Sequence, residues 1–255
     1  MFYTVIDFLV FFSIFCISAK KHEITVLGLC PMFDHLHALT RNQTKMEVRS
    51  FVQAYSSLYA RELNTNLGTK GSVFHRQFGF ARKKGDKAVR TAYSYLYNNP
   101  GEKRLCHRAE EYRWTFLAYA VSVHPFSEKI QLRFASGALR KALKMIDYYS
   151  SRDIYLRHSW LEKMFSPLNE KEKQQLVDYI IAKYNVIDYE ALISLYGSYE
   201  KACLAFASNQ GSEYDIAEEF SPESHRAYLE ISQTLLKKHG LSKIKDAIRL
   251  PLDNR

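Results

Sequence analysis

The sequence predicts an α+β chain: helices on one face of an antiparallel sheet, followed by an all-α C-terminal extension. Three observations carry this. EITVLGLC (Glu23–Cys30) and HLHALT (His35–Thr40) are two short apolar runs around a turn, the mark of a hairpin. Apolar residues at helical spacing flank that hairpin on both sides. From about Phe126 onward the chain turns to charged, amphipathic helices without strand-like runs. The expected organisation is a domain over 1–125 and a helical region over 126–255.

In order along the chain, FLVFFSIFCISA (Phe8–Ala19) is too short for a membrane span, which needs roughly twenty apolar residues. Its only early charge is Asp7, whereas a signal peptide begins with a positive region. Asp7 suits a helix start instead, as a cap or in the first turn. A buried amphipathic helix ending near His22 is expected, with a signal peptide or a peripheral membrane anchor as the alternatives. Pro31–Asp34 reads as the hairpin turn. Thr44–Leu63 carries Met46, Phe51, Tyr55, Leu58 and Tyr59 at helical spacing. The Gly- and Lys-rich stretch 68–85 has room for a third strand around Val73–Phe80. Lys87–Asn98 is helical, stopped by Asn99-Pro100-Gly101. Further helices are expected at Gly137–Tyr148, Ser159–Phe165, Glu170–Tyr184, Tyr189–Leu195, Tyr199–Ala207 and Pro222–His239. The breaks at Asn185 and Gly197 give a spacing compatible with a helix-turn-helix or with a plain bundle.

Composition narrows the function. Of 255 residues, 36 are Lys or Arg and 27 Asp or Glu, a formal charge of +9. Between Arg41 and Glu110 there are fourteen basic and five acidic residues, so the whole excess lies there. The same stretch is rich in Phe and Tyr. Cations attract a phosphate backbone and rings stack on unpaired bases; the alternative is a solvated basic face around core aromatics. The four cysteines are far apart without a C-x-x-C pair, which argues against a disulfide scaffold or zinc ribbon and for a reducing cytoplasm. No phosphate-cradling glycine loop is present.

Two constellations carry chemistry. His35 and His37 stand two apart on a predicted strand, so both imidazoles share one face and can converge on a metal ion. In TAYSYLYNNP (Thr91–Pro100), Tyr95 and Asn99 stand at i and i+4 on one helix face, a hydroxyl beside an amide oxygen able to ligate a cation. Tyr93 and Tyr97 fall about 200° away around the helix. From spacing alone, a plain aromatic helix with a simple Asn-Pro stop is the better explanation of the segment.

PMFDHLHAL (Pro31–Leu39) resembles the metal-binding motif of the HUH superfamily, two histidines flanking a hydrophobic residue. AYSYLYNNPGEK resembles the tyrosine helix of the REP-associated tyrosine transposases, relatives of the single-tyrosine insertion-sequence transposases, and EEYRWTFLAY (Glu110–Tyr119) resembles the aromatic segment that follows it. Order and spacing agree over about residues 5–120. The remainder, with YNVIDYEALISLYGSYEKACLAF and GSEYDIAEEF, resembles the extension of a Bacteroidetes-type subgroup.

The resemblance implies a ferredoxin-like sheet and a single-strand DNA nicking and strand-transfer enzyme. His35, His37 and Asn99 would ligate Mg²⁺ or Mn²⁺, and Tyr95 would be the nucleophile that forms a 5′-phosphotyrosine. Arg76, Arg82, Lys83, Lys84, Lys87 and Arg90 are candidates for holding the DNA backbone. The expected partner is single-stranded DNA with hairpin or repeat ends, bound by a monomer or homodimer in the cytoplasm at the nucleoid, without a membrane. The alternative is a non-catalytic DNA-binding protein derived from a transposase. Two departures stand out. The family's first strand precedes the first helix, whereas here Met1 lies almost at that helix. The usual Pro-Asn or Pro-Asp before the histidines is Phe33-Asp34.

Overall fold

The computed structural model describes residues 2–42, 44–74 and 78–209. Helix α1 (Val5–Lys21) starts in a capping box. Thr4 Oγ1 accepts the Asp7 N–H at 3.1 Å, and Asp7 Oδ2 accepts the N–H groups of Thr4 and Tyr3 at 2.8 and 3.0 Å. Asp7 therefore plays the expected part at the helix start, and His22 is the C-cap. The expected amphipathic character is not found. Phe8, Phe11, Phe12 and Phe15 are all buried, as is nearly every residue around the helix. A helix apolar on all sides belongs at the centre of a fold. Its surroundings are α2 (Lys45–Leu67), α5 (His158–Phe165) and α6 (Glu170–Tyr184), together with the hairpin.

The hairpin follows as expected, β1 (Thr25–Pro31) pairing antiparallel with β2 (Leu36–Arg41). Its register is interrupted once, between Val26 and Gly28, where β1 carries one extra residue. Val26 and Leu29 then join the core around α1 and α2, while Leu27, Cys30 and Met32 join a second core with Tyr93, Leu96 and Tyr97. These tyrosines belong to α3 (Gly85–Glu102). The α+β class stands, but α3 lies on the opposite face of the hairpin from α1, so helices cover both faces. The strand expected around Val73–Phe80 is not formed by residues 73–74 and 78–80, and 75–77 lie outside the described residues. Among the described residues the sheet has two strands.

An open edge on β1 would leave backbone groups unpaired. A distant segment covers it: Ile187 bridges to Val26 in parallel, and the Asp188 N–H donates to the Val26 carbonyl at 2.8 Å.

The remaining helices are α4 (Gly137–Ser150), α7 (Tyr189–Tyr196) and α8 (Tyr199–Ser208), with α5 and α6 close to their expected bounds. The helix expected at Pro222–His239 and the GSEYDIAEEF motif lie outside the described residues. One core cluster draws on residues from Phe2 to Ile187, on both sides of position 125. Buried polar groups tie it. Asp178, fully buried, accepts from Tyr119 Oη at 2.7 Å, the Phe126 N–H at 3.0 Å and Ser127 Oγ at 2.9 Å, and faces Arg113 at 3.3 Å. Asp7 Oδ1 lies 2.9 Å from His158 Nε2, and Glu62 accepts the His158 N–H at 3.2 Å, joining α1, α5 and α2. The EEYRWTFLAY segment, in three short 3₁₀ turns, is thus the joint between the hairpin half and α6.

Candidate active site

The turn of the hairpin closes through the Met32 N–H on the His35 carbonyl at 2.7 Å. His35 ends the turn, and His37, opposite Cys30, lies within β2. Their rings stand on one side with centroids 4.8 Å apart. His35 Nδ1 lies 2.7 Å from Asp34 Oδ1. This hydrogen bond holds the Asp34 carboxyl below its ordinary value against the opposing pull of partial burial. In the neutral tautomer that donates Nδ1–H to Asp34, the imidazole would present Nε2 as a lone pair.

Helix α3 crosses the hairpin over Gly28. A Cβ there would sit 3.4 Å from both Leu96 Cδ1 and the Tyr97 hydroxyl. The helix does not stop at Asn99 as expected. Pro100 lacks the N–H that the Leu96 carbonyl would accept, yet the last turn closes beyond it, with the Lys103 N–H on the Asn99 carbonyl at 3.1 Å. Asn99 consequently keeps helical geometry and shares a face with Tyr95. Its amide nitrogen lies 3.0 Å from His37 Nε2, and the Tyr95 ring stands edge-on to His37 with centroids 5.0 Å apart. His35, His37, Tyr95 and Asn99 are therefore gathered at one place by three elements.

Two atoms in this cluster, His35 Nε2 and Asn99 Oδ1, are shielded from solvent and have no hydrogen-bond partner. Leaving such groups bare costs roughly 1–3 kcal/mol each, so their arrangement suits an electron-pair acceptor. His35 Nε2, with a carboxylate behind its ring, and Asn99 Oδ1 are two unpartnered donors of a kind that suits a divalent cation, and His37 Nε2 would add a third on giving up its contact with the Asn99 amide nitrogen. Among the described residues no group of three or more His, Cys, Asp or Glu is arranged to hold a metal ion; one donor of this set is an amide.

The three tyrosines of α3 part company. Tyr95 is half-buried beside the histidines, whereas Tyr93 and Tyr97 are buried on the other side, stacked on each other at 6.1 Å. Burial pushes both of their phenols well above the ordinary value, and neither hydroxyl has a partner.

Of the expected backbone-holding cations, Arg82, Lys84 and Lys87 are exposed and Lys83 half-buried, on the approach to the N-terminus of α3. Lys87 lies eight residues before Tyr95, about 12 Å along the axis. Arg90 is engaged elsewhere, with Nη2 donating to the Leu195 carbonyl at 2.7 Å and its guanidinium 5.6 Å from the Tyr196 ring centroid. Arg76 lies outside the described residues.

Sequence reasoning missed three contributors. Asp34 signals itself only by adjacency to His35. Gly28 looks like an ordinary strand glycine. Asn98 differs from its neighbour Asn99 in nothing but helical phase, yet its Nδ2 donates to the Phe206 carbonyl at 3.0 Å. With Arg90, Asn98 holds α3 against α7 and α8.

No helix among the described residues is long and apolar enough to cross a membrane. A search of curated proteins and of solved structures finds no match. A family model described as "Transposase IS200 like" matches residues 9–99, a span that runs from α1 through the hairpin to Asn99. Both histidines and all three tyrosines of α3 fall within it. Over residues 9–99 this chain is therefore similar to the IS200-like transposases.

Proposed function

We propose that the chain cleaves and rejoins single-stranded DNA through Tyr95, with a divalent cation at His35, His37 and Asn99. The observation that carries this is the convergence of the half-buried Tyr95 with His37 and Asn99, where two donor atoms are left without partners. The Tyr95 oxygen, having given its proton to solvent or a local base, attacks phosphorus. A P–O bond to Tyr95 forms and the P–O bond to the 3′ oxygen breaks; that oxygen leaves with a proton as a 3′-hydroxyl. The phosphodiester energy stays in the 5′-phosphotyrosine, so a 3′-hydroxyl attacking in reverse reseals the strand without ATP. When bound, Mg²⁺ or Mn²⁺ supplies positive charge against which the scissile phosphate is neutralised. Asp34 fixes the tautomer of His35, and Asn99 and His37 keep α3 seated on β2. Arg82, Lys84 and Lys87 attract the backbone towards the tyrosine helix.

The test is incubation with labelled single-stranded hairpin DNA, with Mn²⁺ or with chelator, followed by denaturing electrophoresis. A protein–DNA adduct that needs both Mn²⁺ and Tyr95 is expected. Tyr95→Phe that still forms the adduct overturns the nucleophile. Hairpins bound tightly without any adduct favour a DNA-binding protein derived from a transposase.

A further inference from the structure

Helix α4 has two opposite faces. Leu139, Ala142, Leu143 and Ile146 are buried against α5 and α6. Arg140, Lys141, Lys144 and Tyr148 are all exposed. At 100° per residue these four lie within an arc of about 100°, opposite the buried arc.

The cations on that arc are uncompensated. The neighbouring carboxylates are already engaged: Asp147 with Lys183 at 2.7 Å, and Asp153 with Lys20 at 2.8 Å. Among the described residues no carboxylate pairs with Arg140, Lys141 or Lys144. One exposed ring lies on the arc itself and another precedes the helix in the chain. Phe134, just before the helix, is 73% exposed, and Tyr148 in its last turn is 51% exposed. Each ring has a guanidinium over it, Arg133 at 4.4 Å and Arg152 at 4.0 Å from the centroid. An exposed phenylalanine of this size gains nothing for the fold, and α4 packs its other side on α5 and α6.

We infer that the outer face of α4 is a second nucleic-acid contact, apart from the tyrosine site, that takes a single DNA strand: Arg140, Lys141 and Lys144 on phosphates, Phe134 and Tyr148 under unpaired bases. The inference rests on the reading of the chain as acting on DNA. Charge alone would suit a duplex as well; the exposed rings favour a single strand, because bases paired in a duplex do not offer their faces.

The experiment uses the full chain and fluorescein-labelled oligothymidylate, with a duplex of equal length alongside, and follows binding by anisotropy through a salt titration. Combining Arg140→Gln, Lys141→Gln and Lys144→Gln should reduce the slope of log affinity against log salt by about 2, since each phosphate contact on a single strand contributes about 0.7. Lys141→Arg with Lys144→Arg should keep the slope. Phe134→Ala and Tyr148→Ala should each weaken oligothymidylate binding by about fivefold or more and leave the duplex unaffected. All these residues are exposed, so the melting temperature should hold. A triple variant with unchanged slope and affinity overturns the α4 contact while leaving the tyrosine chemistry intact. Equal losses on duplex and single strand overturn the single-strand assignment. Wild-type protein that binds neither probe nor hairpin DNA overturns the DNA reading itself.

Discussion

Asn99 of α3 and His37 of β2 meet at 3.0 Å, amide nitrogen to Nε2, across the gap between the tyrosine helix and the hairpin. The contact joins residues 62 positions apart and leaves Asn99 Oδ1 unpartnered. It places the amide where it can serve either the fold or a cation.

That double position separates the consequences of two substitutions. Asn99→Ala removes one hydrogen bond and one bare oxygen, so its cost in folding free energy should stay within about 1 kcal/mol. Its effect on Mn²⁺ binding should be far larger, with loss of adduct formation. Asp34→Ala, which acts only through His35, should lower Mn²⁺ affinity by about 10–100-fold. Titration calorimetry with Mn²⁺ beside chemical denaturation measures both. Unaltered Mn²⁺ affinity in both variants would remove the cation from this cluster.

Tyr97→Phe should behave in the opposite way to Tyr95→Phe. Its hydroxyl is buried without a partner, and its ring packs with centroids 5.0 Å from Phe206 and 6.1 Å from Tyr93. Deleting it relieves a desolvation penalty and should leave stability unchanged or raise it by up to about 1 kcal/mol, with adduct formation intact. Alkaline spectrophotometric titration of the wild type should show Tyr93 and Tyr97 ionising only on unfolding, because burial holds both phenols high.

Gly28 faces Leu96 and Tyr97 where α3 packs on the hairpin. Alanine meets Leu96 and Tyr97 at ordinary contact distance. Valine adds methyl groups to a filled space and should cost about 1–3 kcal/mol. Because the strain falls on the neighbours of Tyr95, Gly28→Val should also slow adduct formation, whereas Gly28→Ala should not. Denaturation midpoints and adduct yields for the pair decide it.

Asp147 gives a pH dependence. Burial works against its charged form, but hydrogen bonds from Lys183 and Tyr179 outweigh it, and its carboxyl sits below the ordinary value. A depressed folded-state pKa stabilises the fold above the unfolded value, near 3.9, and that contribution disappears as pH falls through the folded value. The pair is half exposed, so the effect at neutral pH should be only some tenths of a kcal/mol. Asp147→Asn should show that deficit at pH 7 and match the wild type at acid pH. A deficit that persists there would mean packing, not charge, joins α4 to α6.

The amino-acid sequence by itself determined the local elements and the pairing of chemical groups within each of them. Caps and periodicity depend on neighbours three or four positions away, so Thr4 with Asp7, Thr44 with Glu47 and Asn169 with Glu172 mark helix starts without further context. The same holds for His35 with His37 and for Tyr95 with Asn99. The Asn-Pro pair misled because proline halts a helix only after its last turn has closed. The tertiary structure alone decided that the Tyr95 and Asn99 face meets the histidines, because that depends on the face α3 presents to a hairpin some sixty residues earlier. It also decided that α1 is enclosed on all sides, that Ile187 covers the edge of β1 and that Arg90 is spent on α7. Each of these joins positions far apart in the chain, where packing of a shared core, and no local rule, selects the partner.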